Sequence, residues 1–367
     1  MQTENQDPAF ARAGAWLTVS LKAIADNYAH VARLGAGAEC AAVVKADAYG
    51  LGAARVALAL AGCGAKTFFV AHLDEGIALR ASLPDTRIFV LHGFMPGCEG
   101  SMQAYGLVPV LNDLDQVRSW VQLCAEQGYA FPAALQFDTG MSRFGLSEAD
   151  LQDRSVFEGL NLQLVMSHLA CADTPDNPAN MMQRSRFVDM AMAFPGVPRS
   201  LAASSGIFLG PEYHFELIRP GAALYGIAPA EGNRALKPVI SLDARIVQIR
   251  TIQAGDRVGY GLGWMAPRST RIATLGLGYA DGFFRAQAGR GAVWHGQTRL
   301  PVIGRVSMDS ISVDLTDAPD GLKAGDVLSV LGPEQDVDAL ARSAGTIGYE
   351  VLTSLGSRFH RVYEPNA

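Results

Sequence analysis

The sequence predicts an α/β fold, a TIM-type (β/α)8 barrel, followed by a mainly β C-terminal domain. Eight apolar runs suited to buried parallel strands fall at 40–44, 68–71, 87–91, 107–111, 133–137, 162–167, 199–203 and 215–218, with helical or polar segments between them. Past residue 236 the alternation stops, and short β-type runs separated by Gly, Pro and Asp take over. The residues that close the eight runs are Lys45, His72, His92, Asn112, Asp138, His168, Ser204 and Arg219, all polar or charged. In a barrel the C-terminal strand ends share one face, where functional groups gather. A doubly wound sheet is the alternative for this first part.

Each element has a local reason. Trp16–Val19 reads as a short strand, and Ser20 caps an amphipathic helix whose apolar positions are Leu21, Ile24, Ala25, Tyr28 and Val31. That strand precedes the barrel and is a candidate to pair with the second domain. Ala53–Leu60, Asp74–Arg80, Asp113–Glu126 and Met181–Met192 are the helical or polar connections. Asn112 before Asp113 and His72 before Leu73-Asp74-Glu75 read as helix caps. The boundary is drawn near Pro238, giving a barrel over 1–236 and a β domain over 237–367. The β domain's runs are Leu242–Arg250, Arg271–Leu277, Leu300–Val306, Ile311–Leu315, Asp326–Leu331 and Arg358–Tyr363, interrupted by a helix at Asp336–Ser343.

Bulk properties narrow the function. The chain has 367 residues, 49% of them hydrophobic, and a net charge of -6 with no basic run. Nucleic acid and anionic membrane are therefore poor partners. Five scattered cysteines without a C-x-x-C pair read as small buried hydrophobes in a reducing compartment. No stretch reaches membrane-spanning length and the polar start has no apolar leader core, so a cytoplasmic protein is expected. No metal site is expected.

The stretch Val43-Val44-Lys45-Ala46-Asp47-Ala48-Tyr49-Gly50-Leu51-Gly52 organises the chemistry. A lysine at the mouth of a buried strand is either a solvated end residue or an amine tuned to react, because burying an ammonium is costly. With histidines, an aspartate and Arg219 on the same rim, it suits an anionic, amine-reactive ligand. Ser204-Ser205-Gly206 and Arg219-Pro220-Gly221-Ala222 follow the seventh and eighth strands, where barrels often bind phosphate through backbone N–H groups. Ser-Ser-Gly is equally an ordinary helix start. In the β domain, Gly276–Gly282 and Gly304–Asp309 read as strands ending in a turn that carries Tyr279 or Asp309, and Thr346–Glu350 sets Tyr349 near the C-terminus.

VVKADAYGLG at Lys45, DTGMSRFG at Asp138–Gly145, MSHLACAD at Met166–Asp173, IRPGAALYG at Ile218–Gly226, GYADG at Gly278–Gly282, GRVSMD at Gly304–Asp309 and GTIGYEV at Gly345–Val351 resemble the alanine racemase family, in its order and over nearly the whole chain. The resemblance implies a fold-type III pyridoxal 5'-phosphate enzyme acting as a head-to-tail homodimer with shared active sites. It implies Lys45 as the Schiff-base lysine and the base for D-alanine, and Tyr279 of the partner subunit as the base for L-alanine. A phenol of ordinary pKa near 10 is a poor base at neutral pH, and the family relay that assists it corresponds to His168 and Arg219. Phosphate binding is implied for Tyr49, Ser205, Gly221, Ala222 and Tyr349, with Ser204 where relatives often carry Asn. Arg143, with the Met308 N–H, is implied as the holder of the substrate carboxylate.

Rival readings on the same fold are a decarboxylase of a basic amino acid and a racemase of broader or serine specificity. Related decarboxylases place a glutamate where this chain has Arg219, and serine-preferring relatives lack the tyrosine found here as Tyr349. One departure stands out. Many relatives carry a carbamylated lysine where this chain has Gln136. Glutamine forms no carbamate, but its carbonyl can accept one hydrogen bond from Arg143, so bicarbonate independence is expected, with Gln136→Ala raising KM for alanine.

Overall fold

The computed structural model describes residues 8–35, 37–229 and 235–365. They divide into two compact units, one being Ile24–Lys237 and the other joining the N-terminal stretch up to Ala23 with Pro238 onward.

In the first unit seven strands pair in parallel and in chain order: Ala42–Val43, Thr67–Val70, Arg87–Val90, Val108–Leu111, Pro132–Gln136, Asn161–Met166 and Arg199–Ser200. The eighth, Leu217–Ile218, pairs with Glu39–Cys40 at the entry to the first strand, and Arg219 bridges Ala203 at the end of the seventh. Ala41 N–H donates to the Ile218 carbonyl at 3.0 Å, and Arg219 N–H to that of Ala202 at 2.9 Å. The ring is closed, which excludes the doubly wound alternative. Closure buries both faces of the strands. Phe68, Phe69, Ile88, Val110, Leu135 and Val165 are fully buried, each contributing about 2 kcal/mol of apolar burial. The Phe69 and Phe89 rings stack at 4.8 Å.

The expected helices form over Leu21–Leu34, Ala53–Gly62, Leu73–Arg80, Leu114–Gln127 and Pro178–Ala191. Ser20 Oγ accepts from Ala23 N–H at 3.3 Å, as an N-cap should. The cap of Leu114–Gln127 is Asp113, whose carboxylate accepts from Gln116 N–H. Asn112 does something else: its amide donates to the Leu91 and Val110 carbonyls, stitching two strand ends together.

In the second unit Ile240–Ile252 pairs antiparallel with both Val327–Leu331 and Thr270–Leu275. Ladders through Ile311–Asp314, Thr298–Ile303 and Ala292–His295 complete a closed six-stranded barrel. Ala15–Ser20 pairs antiparallel with Ile240–Ile252 and parallel with His360–Glu364, so the N-terminal strand lies in this unit. Its burial alternates residue by residue, with Leu17 and Val19 inward. The strand Ala292–His295 and the helix Gly348–Ser354 are additions to the expected elements.

Among the described residues no helix is long and apolar enough to cross a membrane, and no group of three or more His, Cys, Asp and Glu could hold a metal. The five cysteines form no disulfide, but only Cys40 and Cys124 are buried, short of the expectation for the set.

Candidate active site

The C-terminal rim of the barrel gathers Lys45, Tyr49, Arg143, His168, Ser204, Ser205, Arg219, Gly221 and Ala222 in the first unit. Lys45 follows the first strand and Arg219 the eighth, which are hydrogen-bonded neighbours. Burial lowers the Lys45 pKa, and Arg143 and Arg219 add to the shift while Glu75 opposes it. The amine thus loses its proton more readily than a free lysine.

The segment after Lys45 is unusual. Ala46, Asp47, Ala48 and Tyr49 all lie in the left-handed region, at φ between 52° and 56°. This conformation is held by named groups. Glu75 Oε1 accepts from Ala46 N–H at 2.7 Å, Asp47 Oδ1 from Ala53 N–H at 2.6 Å, and the Val44 carbonyl from Ala48 N–H at 2.9 Å. The other Glu75 oxygen accepts from Ala71 and His72 N–H at 2.7 and 3.1 Å, tying the second strand's end to the first's. The turn folds Tyr49 back into the barrel, where it is buried against Tyr225, ring centroids 4.6 Å apart. A Cβ on Gly221 would lie only 2.6 Å from Tyr49 Oη, so only glycine lets the phenol come this close.

Arg219 is 3% exposed. Its guanidinium donates to Ser200 Oγ at 2.5 Å and to the Ser167 carbonyl at 2.7 Å, and no carboxylate pairs with it among the described residues. Burial pushes its pKa down, yet a guanidinium stays charged at neutral pH. A buried cation with donors to spare is built to meet an acceptor. His168 has its pKa pushed down to about 3, by burial first and then by the charges of Arg219, Arg143 and Lys45. It is a neutral imidazole throughout the physiological range. Gln183 holds the His168 segment: its amide donates to the His168 carbonyl at 3.0 Å and its oxygen accepts from Ala170 N–H at 2.8 Å.

Ser204 Oγ accepts from Gly221 N–H at 2.9 Å and Ala223 N–H at 3.1 Å, locking the turn after the eighth strand to the one after the seventh. Its oxygen is therefore engaged in bracing the two turns. The N–H groups of Ser205 and Ala222, in the first turn of short helices at Ser204–Ile207 and Ala222–Tyr225, have no acceptor among the described residues. Free N–H groups at two adjacent helix starts suit a phosphate-sized anion.

Arg143 rides on a loop made by Asp138, whose Oδ1 accepts from the N–H groups of Gly140, Met141 and Ser142 at 2.9, 3.0 and 3.0 Å. The guanidinium is exposed, lies 5.7 Å from the Phe144 ring centroid, and has no hydrogen-bond partner among the described residues. Gln136 is buried and does not bond to Arg143, so the expected orienting bond is not made.

The second unit holds Tyr279, Met308 and Tyr349. Tyr279 N–H donates to the Ser307 carbonyl and Ala280 N–H to that of Met308, both at 3.0 Å, which joins the two turns. Tyr279 and Met308 are 42% and 52% exposed. Tyr349 is the second residue of the helix Gly348–Ser354. Reading strand ends in the sequence finds residues of the barrel rim. It misses Glu75, Ser167, Ser200 and Gln183, which sit in helices or at strand ends and act by holding others; a polar residue in an otherwise apolar strand end, as at Ser167 and Ser200, is the available signal.

The family model described as "Alanine racemase, N-terminal domain" matches residues 19–229, and "Alanine racemase, C-terminal domain" matches 239–363. The chain is 49% identical over 362 residues to a catabolic alanine racemase of Mesorhizobium japonicum, covering 96% of this chain and 94% of that one. It is 47% identical to a catabolic alanine racemase of Agrobacterium fabrum, covering 99% and 95%. Among solved structures, an alanine racemase from Bartonella henselae with covalently bound pyridoxal phosphate superposes with a TM-score of 0.93 at 40% identity, covering 96% of this chain and 100% of that one. This chain belongs to the alanine racemase family.

Proposed function

We propose that this chain is an alanine racemase that interconverts L-alanine and D-alanine with pyridoxal 5'-phosphate, as a cytoplasmic homodimer with shared active sites. The observation that carries the reading is a largely buried Lys45, its pKa lowered by burial and by nearby Arg143 and Arg219, together with a buried Arg219 that has no carboxylate partner among the described residues. The groups present fit the cofactor. Lys45 would be its covalent anchor, Arg219 would meet its ring, and Tyr49, Ser205, Gly221 and Ala222 would hold its phosphate, with Ser204 bracing the turns. When bound, the cofactor supplies the electron sink that makes the Cα proton of alanine removable.

The protein's own part is to move that proton between two faces. Lys45 is the base for D-alanine. Tyr279 of the partner subunit is the base for L-alanine. His168, neutral down to about pH 3, and Arg219 form the hydrogen-bonded relay that lets the phenol shed its proton. Arg219 would also set the reaction type, since a cation, unlike a carboxylate, would not favour protonation of the cofactor's ring nitrogen, and a modest electron sink would disfavour side reactions. Arg143 takes the substrate carboxylate through its unpaired guanidinium, with the Met308 N–H of the partner chain beside it. Tyr279 and Tyr349 narrow the entrance to a methyl-sized side chain, which selects alanine over serine.

The test is direct. Protein purified with the cofactor should absorb near 420 nm, and borohydride should fix the cofactor to the Lys45 peptide. A coupled D-alanine assay over a panel of L-amino acids should show turnover of alanine above all others. Absence of the band, or fixation at another lysine, would sink the scheme.

A further inference from the structure

The two turns that carry Tyr279 and Met308 share a clamp. Asp281 is 5% exposed, and its carboxylate accepts from Gly278 N–H at 2.9 Å within its own turn. The same carboxylate takes two bonds from Arg358, Nε to Oδ1 at 2.7 Å and Nη2 to Oδ2 at 2.8 Å. The remaining arm of the fork, Nη1, donates to Oδ1 of Asp309 at 2.6 Å, next to Met308. Arg358 follows the helix Gly348–Ser354, and Gly356 N–H donates to the Asp281 carbonyl at 3.1 Å. The segments are in backbone contact: a Cβ on Gly278 would overlap the Met308 carbonyl oxygen, and one on Gly282 that of Ser354.

The exposed side chains of this assembly are not held directly. The Tyr279 hydroxyl has no hydrogen-bond partner among the described residues. Where it points is decided by the backbone of 278–282, and that backbone is fixed by Asp281, hence by Arg358. A bidentate fork to one carboxylate and a third bond to another is a geometry that lysine cannot reproduce.

We propose that Arg358 is a positioning residue: by bridging Asp281 and Asp309 it joins the two turns into one rigid piece and sets the Tyr279 hydroxyl and the Met308 N–H for use in the partner subunit's active site. The inference rests on the reading in which those two groups serve the partner's site. Displacing a catalytic group by about 1 Å costs on the order of 100-fold in rate.

The experiment uses cofactor-loaded Arg358→Ala, Arg358→Lys and Asp309→Asn. Arg358→Ala should lower kcat for alanine about 100-fold with KM changed less than about threefold, and the 420 nm band should persist. The α-deuterium isotope effect should rise with L-alanine, whose proton the displaced phenol takes, and should not rise with D-alanine, whose proton Lys45 takes. Arg358→Lys and Asp309→Asn should show the same asymmetry in milder form; if the alanine variant does not fold, these two decide the question. Hybrid dimers of Arg358→Ala with Lys45→Ala should then regain activity, because one site combines an intact Lys45 with an intact Arg358 turn assembly. A control hybrid of Tyr279→Phe with Lys45→Ala tests the shared site itself. If the control recovers and the Arg358 hybrid does not, the inference is overturned and the shared-site reading stands. If neither recovers, both fall. Near-normal kcat in all three Arg358 and Asp309 variants also overturns it.

Discussion

Glu75→Gln tests what holds the segment after Lys45. Four successive non-glycine residues at φ between 52° and 56° cost roughly 1 kcal/mol or more each, so the turn carries about 4 kcal/mol of strain. The Glu75 carboxylate offsets part of this by accepting three N–H bonds, one from Ala46 in the turn and two from Ala71 and His72. A glutamine keeps one acceptor oxygen and turns an NH2 group toward donors on the other side. A hydrogen bond to a charged group is worth about 1.5–3 kcal/mol; discounting for the partial exposure of Glu75 leaves a loss of about 2 kcal/mol. At about 2–4 °C per kcal/mol for a unit of this size, Tm of the cofactor-free protein should fall by about 4–8 °C. A second effect runs in parallel. Glu75 is the group that raises the proton affinity of Lys45 against burial and two arginines, so removing its charge lowers the Lys45 pKa further. Calorimetry reads the first effect, and reductive methylation of Lys45 across pH, followed by peptide mass, reads the second. A Tm within 1 °C of the parent (less than the about 2 °C expected for 1 kcal/mol), together with an unmoved Lys45 titration, would refute the reasoning.

Three further outcomes are expected. The His168 pKa falls from 6.5 to about 3 on folding, so the folded chain refuses a proton that the unfolded chain binds, and His168 costs stability as pH drops from 6.5 toward 3. His168→Gln should flatten that acid slope by up to about one proton in urea titrations of the cofactor-free protein at pH 7 to 4; an unchanged slope contradicts it. Because Gln136 makes no bond to Arg143, Gln136→Ala should leave KM for alanine within about twofold, a smaller effect than one lost hydrogen bond, and bicarbonate should not activate the enzyme. Gly221→Ala puts a Cβ at 2.6 Å from Tyr49 Oη, so cofactor affinity measured by fluorescence titration should drop at least about tenfold, the equivalent of about 1.4 kcal/mol, with the Lys45 anchor still formed.

Barrel strands were legible because burial on both faces demands runs of Val, Phe, Leu and Ile, as at Thr67–Val70 and Val108–Leu111. The rim residues were legible for the complementary reason: a charge or imidazole that ends such a run must have a use or a partner. The left-handed turn at 46–49 was not legible, since alanine and tyrosine carry no local preference for it, and it exists through bonds from Glu75 some thirty positions away. The strand Ala292–His295 escaped notice because four residues between glycines give little period to read. Gln136 misled for a related reason. Its type allows a bond to Arg143, but the Asp138 loop directs that arginine elsewhere, and only tertiary geometry decides between them.

The strand Ala15–Ser20 has consequences for synthesis on the ribosome. Its ladder partners begin at Ile240 and end at Glu364, so it emerges long before either neighbour exists. At about 5–20 residues per second, the wait for its first neighbour is roughly ten to forty seconds. The barrel, by contrast, is continuous in sequence from Ile24 to Lys237 and can assemble in that interval while the strand's edges stay open. A nascent chain halted before His360 would leave one of those edges bare, a template for pairing with another chain. Stalled or truncated products should therefore clump through their first strand, which a pulse-chase of C-terminally shortened chains would reveal.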